Sequence, residues 1–280
     1  MHKNSFFCIF IKKDLPFLMI CGKLNLQIFN TLEGIIMKKL LALVLAVLMM
    51  VACFAGCGSK KTLVMGTNAT FPPYEFVDDS GKIVGIDAEI AAAVAEKLGM
   101  ELEIKDMEFD SLLTAVQSKN IDIALAGMTV TDERKLAVNF SDTYAKGVQV
   151  IIVPNDSAIK TVDDLAGKKI GVQTGTTGDI YCTDEFGQEN VKQYQNGALA
   201  VAALKNAQVD CVVIDNEPAK NFVKANEGLK ILDTEYANED YAAAIAKDNT
   251  ELLEKFNKAL GELKADGTVD KIVAKYIPAE

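Results

Sequence analysis

Residues 121–134 read Ile121-Asp122-Ile123-Ala124-Leu125-Ala126-Gly127-Met128-Thr129-Val130-Thr131-Asp132-Glu133-Arg134. The apolar run, broken only by Asp122, predicts a buried strand over 121–126. Gly127 then allows a ligand to come close to the backbone. Thr131 stands where a helix N-cap belongs, and Arg134 falls in the first turn of that short helix. Strand, polar turn and helix in succession make the unit of an α/β sheet. In such sheets ligands bind beyond the carboxyl ends of the strands.

The same rhythm extends both ways. Toward the N-terminus, Thr62–Gly66 and Leu102–Asp106 predict strands, and Phe109–Ser118 predicts a helix. Asp87–Leu98 predicts a helix with Asp87 as N-cap and Gly99 as its stop. Toward the C-terminus, Tyr144–Val153, Lys168–Val172, Asp210–Ile214 and Tyr241–Ala246 read as extended. Helices are expected from about Thr176 and over Ala198–Asn206, Glu217–Ala225, Leu252–Ala265 and Thr268–Lys275. This alternation implies parallel sheets covered by helices in two α/β units. The join near Val148–Val153 is itself strand-like, so crossing strands are expected there.

Composition excludes several kinds of chemistry. The chain has 280 residues, 39 Asp+Glu against 29 Lys+Arg, and a net charge of −10. That balance excludes a nucleic-acid binder, which needs a basic stripe. The one His is His2, so a Ser-His-Asp triad, a Cys-His pair and a His-built metal site are ruled out. No cofactor is expected. Arg134 is the sole Arg of the chain.

The N-terminus reads as targeting. From Met37, Lys38 and Lys39 precede the apolar run Leu40–Ala52, and Ala55-Gly56 precede Cys57. This is a secretory signal over 37–56, too short for a comfortable membrane span. An uncleaved anchor is the alternative. Residues 1–36 would bury the basic region mid-segment, so we expect translation to begin at Met37; Glu33-Gly34 could be encoded by a purine-rich ribosome-binding stretch. A genuine second hydrophobic segment is the other reading. Six Lys and two acids precede Cys57, so the chain from Cys57 onward carries a net charge of −14. Beyond Cys57 only Cys182 and Cys211 remain, and Cys211 reads as a buried strand thiol.

Candidate site residues sit at strand ends. Arg134 is suited to hold a carboxylate bidentately, and equally to sit on the surface at a helix start. Gln173-Thr174-Gly175-Thr176-Thr177-Gly178 offers hydroxyls and amides at a helix start, or an ordinary turn. It carries no complete phosphate-binding fingerprint. Asp215 could hold an ammonium group or cap the helix that follows. Phe71 and Phe109 lie beside strand ends, as ligand contacts or as core.

Together these pieces carry a resemblance. Gly66-Thr67-Asn68-Ala69-Thr70-Phe71-Pro72-Pro73-Tyr74-Glu75-Phe76, the Gly127–Arg134 run, Phe140-Ser141-Asp142-Thr143-Tyr144, Gly175-Thr176-Thr177 and Asp210–Asp215 resemble, in order, the polar amino-acid-binding proteins of ABC importers. The small residues before Cys57 resemble the bacterial lipobox, although Phe54 stands where Leu is usual. The resemblance implies a type II periplasmic-binding-protein fold of two α/β lobes joined by two crossing strands. Lobe 1 would comprise 60–148 and 244–280, and lobe 2 would comprise 149–243. It implies that Arg134, Thr129 and the Thr177 amide hold an α-carboxylate. Asp215, the Gly127 carbonyl and the Thr129 hydroxyl would hold the α-ammonium. Phe71 and Phe109 would sandwich the side chain, with Asn68, Gln173 and Thr176 completing the site. The neutral Asn68 and Gln173 leave glutamine, arginine, lysine, histidine and cystine open as ligands. The implied protein is an extracytoplasmic monomer, not an enzyme, lipid-anchored at Cys57 beside an ABC permease. The alternatives are an enzyme on the same fold, similar to cyclohexadienyl dehydratase, with Glu75 as its nearest acid, or a sensor or adhesin module.

Overall fold

The computed structural model describes residues 61–278, which belong to one compact unit spanning 60–280. The signal segment, the start at Met37 and the Cys57 lipobox lie outside the described residues.

The first stretch of chain contributes β1 (Thr62–Thr67), β2 (Thr70–Phe71), β3 (Glu75–Val77), β4 (Ile83–Val84), β5 (Glu101–Asp106), β6 (Ile123–Ala124) and β7 (Val138–Phe140). The middle contributes β8 (Ala145–Pro154), β9 (Ile170–Gln173), β10 (Val191–Tyr194), β11 (Cys211–Asp215), β12 (Leu229–Ile231) and β13 (Ala237–Tyr241); β14 (Ala244–Ala246) follows. One sheet runs β5-β1-β6-β14-β7, with β1 parallel to β5 and β6 and β14 antiparallel to its neighbours. A second runs β10-β9-β11-β8-β12, with β13 also pairing to β8, and β2-β3-β4 form a small third sheet. Each of the two large sheets is the centre of one lobe. The chain passes between them twice, and the passages lie side by side. β8 and β13 pair antiparallel from Ala237 opposite Gln149 to Tyr241 opposite Ala145.

Helices cover the sheets as periodicity demands. Ile86–Lys97 buries Ile86, Ile90, Ala91 and Val94 along one face. Thr250–Ala265 buries Phe256, Ala259, Leu260 and Leu263 and packs against it.

Four departures from the expected elements matter for the site. The strand over 121–126 keeps only Ile123–Ala124 in the ladder, because Asp122 turns its carboxylate to the Val64 N–H at 2.8 Å and Gly127 takes φ +52°. Asp87 is not an N-cap. Gly85 holds that position at φ +128°, and a side chain there would run into the Tyr74 carbonyl. Asp87 is instead fully buried inside the helix. The extended run Tyr241–Ala246 divides, with Tyr241 closing β13 in one sheet and β14 opening at Ala244 in the other. Finally, Phe109–Ser118 begins as a 3-10 turn, Phe109–Ser111, before the helix Leu112–Gln117.

Candidate functional site

The structure brings all ten candidate site residues, together with Glu75 and Ala126, to the wall of one small, nearly filled cavity. Arg134 is placed by local sequence. The Thr131 hydroxyl accepts the Arg134 N–H at 3.1 Å, and the helix Asp132–Ala137 turns the guanidinium inward until the residue is 6% exposed. Its Nη1 donates to the Thr129 carbonyl at 2.8 Å and its Nη2 to the Gly175 carbonyl of the other lobe at 3.0 Å. The guanidinium carbon lies 5.4 Å from the Phe109 ring centroid, a cation–π contact. Among the described residues Arg134 forms no ion pair. Burial pulls its pKa down.

Asp215 ends β11. It stands at the N-cap position of the helix Asn216–Ala225 but makes no side-chain cap. Its Oδ2 accepts from Gln149 Nε2 at 2.7 Å, and its Oδ1 accepts from the Tyr241 hydroxyl. Both partners are neutral. Burial, and then the nearby Glu239, raise its pKa well above the usual carboxylate range. Glu239, on β13, accepts from the Thr129 hydroxyl at 2.9 Å and from Gln149 at 3.1 Å.

The second lobe's loop is held from within. The Thr176 hydroxyl donates to the Gln173 carbonyl at 2.8 Å and accepts the Asp179 N–H at 3.3 Å. Thr177 thereby becomes the first residue of the helix Thr177–Phe186. First-turn amides lack intrahelical acceptors and suit an anion. Gln173 Nε2 donates to Asn68 Oδ1 at 2.9 Å across the lobes, and Asn68 Nδ2 donates to the Met107 carbonyl at 3.0 Å. Gly127 is required by packing as well as by its φ. A Cβ there would lie 2.9 Å from Phe71 Cε1.

Glu75, read from the sequence only as the nearest acid, is 1% exposed on the cavity wall. Burial, and then the nearby Asp87 carboxyl, raise its pKa well above the ordinary value. Asp87 Oδ2 accepts the Gly127 N–H at 2.8 Å and the Tyr144 hydroxyl at 2.7 Å. Burial raises Asp87 to about 6.

Gln149, Glu239, Tyr241 and Asp87 were not foreseen. Gln149 had a visible signal, as the polar residue inside the apolar run Val148–Val153. Glu239, flanked by polar neighbours, had none.

A wider, more open trough is lined by Lys97, Glu251, Lys255 and Glu262 among others. Four of its charges pair off, Lys97 with Glu262 and Lys255 with Glu251. The smaller cavity is the one whose buried Arg134 and Asp215 have only neutral hydrogen-bond partners among the described residues, so the site is placed there. Unpaired opposite charges on facing walls suit a small zwitterion.

Comparison with known proteins agrees in kind. The family model of bacterial extracellular solute-binding proteins, family 3, matches residues 63–279. The arginine-binding extracellular protein ArtP of Bacillus subtilis (strain 168) is 37% identical over 257 residues, covering 87% of this chain and all of its own. The L-cystine-binding protein TcyJ of Escherichia coli (strain K12) is 32% identical over 224 residues, 79% of this chain and 84% of its own. A solved structure of an ancestral arginine-binding protein bound to glutamine superposes with TM-score 0.75 at 45% identity, covering 79% of this chain and 100% of that one.

Proposed function

The chain belongs to the bacterial extracellular solute-binding proteins, family 3, and from that premise we propose that its cavity takes a free L-amino acid with a polar or basic side chain for delivery to an ABC permease. The observation that carries this reading is the pair Arg134 and Asp215. They are opposite in charge, buried, held only by neutral groups, and supplied to one cavity by different lobes. A zwitterion leaving water needs both charges replaced, or desolvation defeats binding. Arg134, Thr129 and the Thr177 amide would take the α-carboxylate. Asp215 and the Gly127 carbonyl would take the α-ammonium. The Thr129 hydroxyl donates to Glu239, which leaves its lone pairs to accept from the same ammonium. Phe71 and Phe109 would sandwich the side chain, with Asn68 and Gln173 near its end and Thr176 shaping the loop. Clamp groups on two lobes make binding and closure one event.

The test is calorimetric titration of the chain, stripped of co-purified ligand by refolding, against the common L-amino acids and cystine. ArtP is named for arginine and TcyJ for cystine, so these come first. Tight binding of a polar or basic L-amino acid is expected; no binding by any α-amino acid would overturn the clamp.

The rest of the reading concerns placement. The mature protein is an extracytoplasmic monomer, carried by lipid on Cys57, with lobes 60–148 plus 244–280 and 149–243. Radiolabelled palmitate should enter the native chain and not Cys57→Ser. Binding without turnover, tested with an arogenate-type substrate, would separate this reading from an enzyme.

A further inference from the structure

One face of the paired crossing strands β8 and β13 backs onto the clamp. Ala237 lies opposite Gln149, Glu239 opposite Gly147 and Tyr241 opposite Ala145. Side chains alternate along a strand, so Gln149, Glu239 and Tyr241 share one face. Gly147 keeps that face open, because a Cβ there would lie 2.6 Å from Asp215 Oδ1 and would meet the Tyr241 hydroxyl. The end of β13 also runs beside Met128–Val130. The Val130 N–H donates to the Asp240 carbonyl at 3.0 Å, and the Ala242 N–H donates to the Met128 carbonyl at 3.1 Å. That sets the buried Glu239 against Thr129.

The side-chain donors here are already committed. The Gln149 amide nitrogen donates to Asp215 Oδ2 at 2.7 Å and to Glu239 Oε2 at 3.1 Å, which uses both of its hydrogens. The Tyr241 hydroxyl donates to Asp215 Oδ1. The Thr129 hydroxyl gives its one hydrogen to Glu239 Oε2 at 2.9 Å. What is left for a ligand at this corner is lone pairs, those of Asp215, Thr129 Oγ1 and the Gly127 carbonyl. Three acceptors match the three hydrogens of an ammonium group. An α-hydroxyl brings one hydrogen and two lone pairs, so buried acceptors would go unsatisfied. We propose that Glu239 is a positioning residue for selection of the amino group: by accepting the Thr129 hydrogen it fixes that hydroxyl as an acceptor, so the cavity takes α-amino acids and rejects the α-hydroxy acids with the same side chain. The inference rests on the clamp reading and adds the device that makes its ammonium corner selective.

The purified full chain, refolded to remove ligand, is titrated calorimetrically with L-arginine and L-glutamine and with the α-hydroxy analogue of each. A chain that prefers another L-amino acid is read with that amino acid and its analogue. The native chain is expected to bind the amino acid at least about a hundredfold more tightly than the hydroxy acid. Glu239→Met keeps the length, removes the acceptor and frees the Thr129 hydrogen to turn into the cavity; it should cut that ratio about tenfold or more. Glu239→Gln keeps an acceptor oxygen and loses the charge, so its ratio should fall between the two. A merely structural role would weaken both ligands alike and leave the ratio unmoved. Thermal melts show which variants are folded. Thr129→Val, isosteric and without the oxygen, should lower the ratio as well and keeps the test open if Glu239→Met does not fold. A native ratio within about tenfold of unity, a native-like ratio in folded Glu239→Met or Thr129→Val, or as large a loss in Glu239→Gln as in Glu239→Met would each overturn the inference. A chain that binds no amino acid at all removes the clamp as well, so the two failures are distinguishable.

Discussion

Truncating Arg134 tests the clamp at its most exposed assumption, that a ligand carboxylate depends on one guanidinium. In Arg134→Ala the carboxylate would enter a site whose remaining nearby groups are the Thr129 hydroxyl and the helix amides at Thr177. Arg134 is 6% exposed, so bulk water has little access to take the guanidinium's place. Breaking a buried pair by removing one partner costs about 3–5 kcal/mol. At about 1.4 kcal/mol per tenfold, that is a loss of roughly two to four orders of magnitude in affinity. The same change removes the bonds to the Thr129 and Gly175 carbonyls, each worth about 0.5–1.5 kcal/mol to stability. A thermal melt must therefore show that the variant is folded at the assay temperature. Arg134→Lys keeps the charge and loses the two-pronged geometry, so its loss should be intermediate. The assay is calorimetric titration with whichever amino acid binds the native chain. A folded Arg134→Ala variant that binds within about tenfold of native would refute the argument, because no buried, paired carboxylate loses so little.

Three further outcomes follow from the same structure. Phe256→Ala empties a fully buried site in the Thr250–Ala265 helix and should cost about 3–5 kcal/mol in denaturant unfolding while leaving ligand affinity unchanged; a cost under about 1 kcal/mol would contradict the packing. Burial raises both Glu75 and Asp87 on folding, so their contribution is full below the ordinary carboxylate range and fades as pH climbs, through about 6 for Asp87. The urea midpoint of the ligand-free chain should thus fall from pH about 5 to pH about 8, and Glu75→Gln should flatten the slope; a native midpoint that rises over that interval would count against the pair. Cys182 and Cys211 are both buried free thiols, with Cys182 pushed up to about 12 by burial, so a thiol reagent should label neither until the chain unfolds; rapid native labelling would contradict that burial.

Much of the fold was legible because it rests on short-range repetition. The spacing of Ile86, Ile90, Ala91 and Val94 marks a buried helical face without reference to what covers it. The apolar run ending at Ile214 marks a buried strand in the same way. β2, β3, β4, β7 and β12, each two or three residues long, carry too few residues for any period to show. The division of Tyr241–Ala246 was equally hidden. Its residues are uniformly apolar, and only the pairing of Tyr241 with Ala145 and of Ala244 with Ala124 assigns them to different sheets.

The site divides along the same line. Arg134, Thr131, Gly127, Thr176 and Asp215 were visible because each works through its immediate neighbours, as a cap, a turn or a strand end. Gln149, Glu239, Tyr241 and the Glu75–Asp87 pair act on partners brought from elsewhere in the chain: Gln149 reaches Asp215 66 positions away, and Thr129 reaches Glu239 110 positions away. Their meaning lies in what faces them after folding. A buried carboxyl is a structural bond, a receptor for a cation or a proton store according to its neighbours. Amino-acid order could therefore announce two α/β lobes and a clamp between them. Which acids stand unpaired on the cavity wall was decided only when the crossing strands brought the lobes together.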